Sequence, residues 1–340
     1  MNRPYSEVWI RFGEFGDLAM LCALSHALAA KVEALDCTLV TAPAFTTFAR
    51  RYGAFSFVIE HPGRAESQIY EQLLAASPDA IIDLHHRAYE DDHYFTWLRS
   101  WRGVPVAVVS SRARHYPDDV PLRIVADNAL SLHRHHADYL SDRLGASLAP
   151  LTRGSLRLYP TPADRERASE VTRALRRDNS RHLVAFVPFS RRRHKEWLNL
   201  RWQELAVLLQ REDNDLCALC SDAERGRAET LFNGCDLPIV TAATPEDFVA
   251  LVLGVDVLVA VDSGIKHLAG YLSKPVVALY GPTSEHIWGS LGLHERPLSS
   301  TVECRPCHDA FGCPRPAWIC MEGINAAAVA EMVANVRASR

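Results

Sequence analysis

The chain has no apolar run that approaches the roughly 18 residues needed to cross a bilayer as a helix. Its first residues, MNRPYSEVWIRFGEFGD, hold no signal-peptide hydrophobic region and pass almost at once into a strand pattern. These two absences set the expectation of a cytoplasmic protein. Charge of one sign is also scarce: 37 Lys and Arg face 41 Asp and Glu, a net charge of −4. That balance argues against a general nucleic-acid binder. The first glycine turn, Gly13-Glu14-Phe15-Gly16-Asp17, lacks the G-x-G-x-x-G spacing of a dinucleotide fingerprint. What remains is a globular composition, 48% hydrophobic and 23% charged.

At 340 residues the chain exceeds the size of one ordinary hydrophobic core, so two domains are expected. Strand-like runs at Val8–Phe12, Cys37–Thr41, Phe57–Ile59, Ala80–Leu84 and Val104–Val109 alternate with helical segments, among them Leu18–Ala30. Such alternation predicts an α/β fold with a doubly wound parallel sheet. The proline-rich stretch Leu158–Pro162 breaks the pattern and reads as the linker. A second α/β series then begins, with strands at Leu183–Val187, Leu216–Cys220 and Pro238–Val240 and helices at Trp197–Gln210, Ala223–Phe232 and Pro245–Leu253. The expected division is 1–158, 159–324 and a carboxyl-terminal helix over 325–340.

The densest signal lies in Val257–Thr283, VLVAVDSGIKHLAGYLSKPVVALYGPT. A β-branched run ends in Asp262-Ser263-Gly264, a helical segment carries Lys266 and His267, and a second strand runs Pro275–Leu279. In a strand–turn–helix–strand unit the helix amino terminus favours an anion, and the carboxyl end of the strand is where open sheets bind ligands. An ordinary loop with Asp262 as helix cap is the competing reading. Asp17, at the first strand-to-helix turn, carries the same ambiguity between cap and functional carboxylate. The run Arg191-Arg192-Arg193-His194-Lys195 is either a phosphate site or a solvated basic loop.

Nine cysteines in a cytosolic chain should be thiols or metal ligands. Cys22, Cys37, Cys217, Cys220 and Cys235 sit among apolar residues and read as packing. Cys304, Cys307, Cys313 and Cys320 fall close together in a turn-rich segment, so a structural zinc or iron site, a disulfide and free thiols all stay open.

Several of these motifs together resemble glycosyltransferase family 9, the family that contains the lipopolysaccharide heptosyltransferases. The matching elements are D-S-G-x-x-H-L-A followed by K-P-V-V-A-L-Y-G-P-T, the Lys195-x-Trp197 segment with Trp202, the Gly16-Asp17 turn after Arg11, Ile81-Ile82-Asp83-Leu84-His85, and Cys320-Met321. The resemblance implies a GT-B fold, two Rossmann-like domains facing across a cleft. It implies an inverting transfer of heptose from an ADP-heptose donor to a lipopolysaccharide inner-core acceptor, with no catalytic metal. Asp17 would be the base and Lys195 the contact to the donor's diphosphate. Ser190, Asp222, Asp262, Ser263, Gly264 and His267 would complete the donor site, with Glu224 an alternative to Asp222 at the ribose. Arg11, His85, Arg87 and Arg112 would face the acceptor. Such an acceptor would bring the protein to the inner membrane as a peripheral partner. The chain departs from the family pattern at Phe189, where a glycine is usual, and at Lys266, where a small polar residue is usual; the latter would be neutral if Lys266 pointed outward. The alternatives are heptose transfer to a protein, transfer of another nucleotide sugar, and a nucleotide-sugar binding module without transferase activity.

Overall fold

The computed structural model describes residues 5–11, 14–30, 35–61, 78–83, 106–109, 122–126, 154, 156–290, 292–307, 313 and 318–338. The chain divides into two compact units, Met1–Thr152 and Arg153–Arg340, each built on a six-stranded parallel sheet.

In the first unit, β1 (Tyr5–Arg11), β2 (Leu35–Thr41), β3 (Phe57–Glu60), β4 (Ala80–Asp83), β5 (Val106–Val109) and β6 (Leu122–Ala126) lie in the order β3-β2-β1-β4-β5-β6. The chain winds outward from β1 in one direction, then returns to β4 on the other side. The carboxyl ends of β1 and β4 therefore flank the point where the winding reverses, the position at which such sheets bind ligands. Helix α1 (Phe15–Ala29) follows β1, and α2 (Pro43–Tyr52) follows β2. Leu18, Leu21, Cys22, Ala23 and Leu24 are all buried, as expected of a helix that is apolar all round. Phe15 meets Phe48 of α2 edge to face, 5.0 Å between ring centres.

Helix α1 begins three residues earlier than the periodicity predicts. Its cap position is Glu14, at φ 69°, a left-handed conformation that side chains disfavour. Asp17 is thus not the cap; it occupies the first helical turn.

The second unit repeats the same winding. Strands β7 (His182–Val187), β8 (Asn214–Ser221), β9 (Ile239–Ala242), β10 (Val257–Val261), β11 (Val276–Tyr280) and β12 (Glu295–Ser299) take the order β12-β11-β10-β7-β8-β9. Leu183–Val187, Val257–Val261 and Val276–Tyr280 are buried throughout, the continuous apolar run of strands covered on both faces. The flanking helices are α3 (Pro162–Leu175), α4 (Asn199–Arg211), α5 (Arg225–Leu231), α6 (Asp247–Leu253), α7 (Gly264–Tyr271), α8 (Glu285–Trp288), α9 (Ile319–Glu322) and α10 (Ala326–Ala338). Their core centres on Phe186, Trp197, Trp202, Leu205 and Leu209.

The stretch expected to be the linker belongs to the second unit. Leu156 and Leu158 are buried, and the Leu158 amide donates to the Tyr271 carbonyl at 2.9 Å. Pro162 then opens α3, which Thr161 and Asp164 close with a reciprocal capping box. The carboxyl-terminal helix is likewise part of this core: Val329 and Val333 of α10 join the α4 cluster, and the Trp197 indole donates to the Ile324 carbonyl at 3.0 Å. Strands β6 and β12 are absent from the sequence-based expectation. Both lie at sheet edges, and β12 contains Pro297, a residue that sheets tolerate at an edge. Among the described residues no helix is long and apolar enough to cross a membrane.

Candidate donor site

Strands β7 and β10 are neighbours in the second sheet, and their carboxyl ends flank its reversal point. After β7 the chain passes through Pro188–Arg192 into a short 3-10 turn, Arg193–Lys195. After β10 it turns through Asp262 and Ser263 into α7. These two loops are sewn together. The Ser190 hydroxyl donates to the Asp262 carbonyl at 3.3 Å, and Lys195 Nζ donates to Asp262 Oδ2 at 2.6 Å.

The loop after β7 is braced from below. The Ser190 amide donates to Glu196 Oε1 at 3.1 Å, and Glu196 Oε2 accepts from Arg227 at 2.6 Å. The Arg227 guanidinium lies 4.1 Å above the Phe189 ring, which is itself buried. Phe189 therefore anchors the loop in the core where a glycine would leave the backbone free.

Asp262 is 4% exposed and does not act as a helix cap by its side chain. Its Oδ2 accepts from Lys195 and from Thr283 Oγ1 at 2.9 Å; its Oδ1 accepts from Lys266 Nζ at 2.9 Å, with His267 Nε2 at 3.9 Å. Burial alone would raise the Asp262 carboxyl, but the charges of Lys266 and Lys195, with His267, reverse that and hold it well below the usual carboxylate range. Lys266 points inward and is fully buried, so its presence is not neutral. Its ammonium also donates to Tyr280 Oη at 2.7 Å and to the Trp288 carbonyl at 2.6 Å, and Tyr280 Oη donates to Glu295 Oε1 at 2.6 Å. Burial, then Glu295 and Asp262, push the Tyr280 phenol well up, so it stays a donor.

Ser263 is the cap position of α7 and Gly264 and His267 stand on its first turn, all three partly exposed. The buried Ser263 hydroxyl has no hydrogen-bond partner among the described residues. Asp222 and Glu224 follow β8. Glu224 Oε2 accepts from the Ser221 amide at 3.0 Å and from the Ser221 hydroxyl at 2.7 Å, whereas Asp222 is exposed. In the first unit Asp17 stands on α1 beside the reversal point. Arg11 is described as the last residue of β1, and His85, Arg87 and Arg112 lie outside the described residues.

Cys304, Cys307, Cys313 and Cys320 do come together, lining one pocket with His194, Pro282, Arg305 and Trp318. The expected metal centre finds no support here: among the described residues no three His, Cys, Asp or Glu side chains are placed to hold a metal ion, and all nine cysteines are free thiols. The segment packs against the turn after β11. Cys320 and Met321 press on Gly281 so closely that a Cβ there would come within 2.3 Å of Met321 Sδ. Cys307, by contrast, is exposed. Between them Arg305 grips the turn after β11, donating to the carbonyls of Gly281 at 2.7 Å and Thr283 at 3.1 Å and pairing with Glu285 at 2.7 Å. That turn carries Thr283 to Asp262, so the cysteine segment supports the site through Arg305.

The sequence reading did not foresee Glu196, Arg227, Thr283, Tyr280, Glu295 or Arg305 as part of this arrangement. Only Lys266 left a readable trace, since it stands four residues after Asp262 and a helix brings such pairs together.

A model of glycosyltransferase family 9 (heptosyltransferase) matches residues 155–314, the segment that contains every element of this cluster. Lipopolysaccharide heptosyltransferase 1 of Pseudomonas aeruginosa is 36% identical over 115 residues, 33% of this chain and 32% of that protein. The match thus spans about a third of that relative's length. The fold extends much further than the sequence identity. E. coli ADP-heptose lipopolysaccharide heptosyltransferase II superposes with a TM-score of 0.68 at 16% identity, covering 97% of this chain and 98% of that one. A family 9 glycosyltransferase from Veillonella parvula gives 0.75 at 13% identity, covering 100% and 99%. The chain therefore has the GT-B fold of family 9 structures.

The burial of the thiols predicts their reactivity. Burial pushes Cys217 up to about 12 and Cys220 up to about 11. A maleimide applied to the native protein near neutral pH should label Cys307 first and Cys304, Cys313 and Cys235 more slowly. Cys22, Cys37, Cys217 and Cys220 should react only after denaturation. Peptide mapping by mass spectrometry reads this order, and early labelling of Cys217 would contradict the described core.

Proposed function

We propose that the protein is an inverting glycosyltransferase that moves heptose from ADP-heptose to a lipopolysaccharide inner-core acceptor at the cytoplasmic face of the inner membrane. The observation that carries this reading is the union of Lys195, Asp262, Ser263 and Gly264 at the reversal point of the second sheet. A cation, a hydroxyl with no partner among the described residues and the amino terminus of α7 converge there, and each suits a diphosphate. The family 9 match over the same residues supports the donor class. In its reported structures E. coli heptosyltransferase WaaC is bound to ADP and to an ADP-fluoroheptose, at 18% identity to this chain.

The chemistry follows from the residues. Attack by an acceptor hydroxyl on the anomeric carbon needs a base to take the hydroxyl proton and a stabiliser for the departing diphosphate. Lys195 supplies positive charge for the leaving group. Asp17, on the first turn of α1, is assigned the base, and the strained Glu14 immediately before that helix fixes where the turn begins. Asp222, exposed after β8, is assigned to the ribose hydroxyls. No step in this scheme calls on a metal.

Two measurements test the reading. Lys195→Ala should weaken ADP binding by about tenfold or more, and Arg192→Ala much less, because only Lys195 reaches Asp262 at the strand ends. Isothermal calorimetry compares the two, and equal losses would mean a diffuse basic surface. Asp17→Ala should lower transfer from ADP-heptose to an inner-core acceptor by about two to four orders of magnitude while leaving ADP affinity nearly unchanged. Product formation followed by mass spectrometry decides this; near-normal turnover by the folded variant would remove Asp17 from the mechanism.

A further inference from the structure

Two lysines hold one buried carboxylate, and they are not equivalent. Lys266 is 0% exposed and its ammonium donates three hydrogen bonds, to Asp262 Oδ1, Tyr280 Oη and the Trp288 carbonyl. An ammonium has three protons, so Lys266 has none left to offer a ligand. Lys195 approaches the same carboxylate from the short turn after β7, with 15% of its side chain exposed, and donates to Asp262 Oδ2. Thr283 shares that oxygen.

If Lys195 were the carboxylate's sole cation, moving it to a phosphate would leave a buried charge uncompensated, which costs several kcal/mol. It would then stay where it is. With Lys266 on Oδ1 and Thr283 on Oδ2, Asp262 keeps one full counter-charge and one hydrogen bond after Lys195 departs. Lys266 in turn stays fixed, because Glu295, 1% exposed, stands behind Tyr280 and supplies the second negative charge. We infer that Lys266 is a positioning residue that keeps Asp262 neutralised, so that Lys195 can transfer from Asp262 to the donor's diphosphate. This rests on the donor-site reading above and adds to it a division of labour between a fixed lysine and a mobile one.

The inference has a consequence that a purely structural lysine would not produce. The titratable groups facing Asp262 are Lys195 from the turn after β7, Lys266 and His267 from α7, and Tyr280 from β11 with Glu295 of β12 behind it. In Lys266→Met, ADP binding would draw Lys195 away and leave the carboxylate with no ammonium in a buried place. It would then take up a proton as ADP binds. ADP affinity of the variant should therefore be about tenfold or more below wild type near pH 8 and recover as the pH falls toward about 6. Wild type should show no such recovery beyond the titration of ADP itself, which is common to both experiments.

The test is calorimetric titration of wild type and Lys266→Met with ADP, at several pH values and in buffers of different ionisation enthalpy. Extra proton uptake in the variant, with the affinity recovering at low pH, supports the inference. Equal proton uptake and equal affinity overturn it, as does a variant that melts earlier but binds ADP with wild-type pH dependence. Failure of wild type to bind ADP at all overturns the donor-site reading itself, and the inference with it. Should Lys266→Met fail to fold, a crystal structure of wild type with ADP decides. Lys266 should remain on Asp262 Oδ1 while Lys195 Nζ bonds a phosphate oxygen; Lys195 still on Asp262 beside bound ADP would overturn the proposal.

Discussion

A single buried carboxylate, Asp262, ties the second unit's ligand-binding end together. It receives Lys195 from the loop after β7, Lys266 from its own helix and Thr283 from the turn after β11. Three separate segments thus converge on two oxygens. A carboxylate at this depth is tolerable only when its charge is met, and once met it fixes the relative placement of everything that meets it. The bracing outward follows the same logic. Arg305 holds the β11 turn, Arg227 and Glu196 hold the β7 loop, and Glu295 balances Lys266 through Tyr280.

The sheet decides where this carboxylate stands. Apolar strands buried on both faces select a parallel sheet with helices above and below, and the winding β7, β8, β9, then back to β10, places two loop-bearing strand ends side by side. The first unit follows the same order around β1 and β4, and there α1 begins at a strained Glu14 and carries Asp17 in its first turn. One folding rule, applied twice along one chain, yields two pairs of central strand ends suited to ligands.

Much of this was legible in the residues. Strand runs such as Val257–Val261 and Leu183–Val187 are continuous β-branched or apolar stretches, and the D-S-G turn announces the end of β10. The edge strands were not legible, because Leu122–Ala126 is short and Glu295–Ser299 interrupts its pattern with charge and proline. The direction of Lys266 was not legible: a lysine on the first turn of a helix is ordinarily solvated, and only the three-dimensional closeness of Asp262, Tyr280 and the Trp288 carbonyl draws it inward. The cysteine segment shows how packing divides residues that are close in sequence. Four thiols close in sequence suggest a shared centre, yet Cys320 is drawn inward with Met321 to pack Gly281 and Cys307 remains at the surface. Side-chain destinations set by long-range packing leave little trace in local spacing.

The central claim, that an ionised Asp262 organises the site, is tested most directly by the pH dependence of unfolding of wild type against Asp262→Asn. Because the folded protein holds this carboxyl below its ordinary value, its contribution is complete above the unfolded value of about 4 and is lost as the pH falls through and below it. The account predicts that wild type exceeds Asp262→Asn in stability by about 3 kcal/mol or more, unchanged from neutral pH down to about 5, with the gap narrowing below about 4. Equal stability of the two proteins at neutral pH, or a gap that widens on acidification, would contradict it.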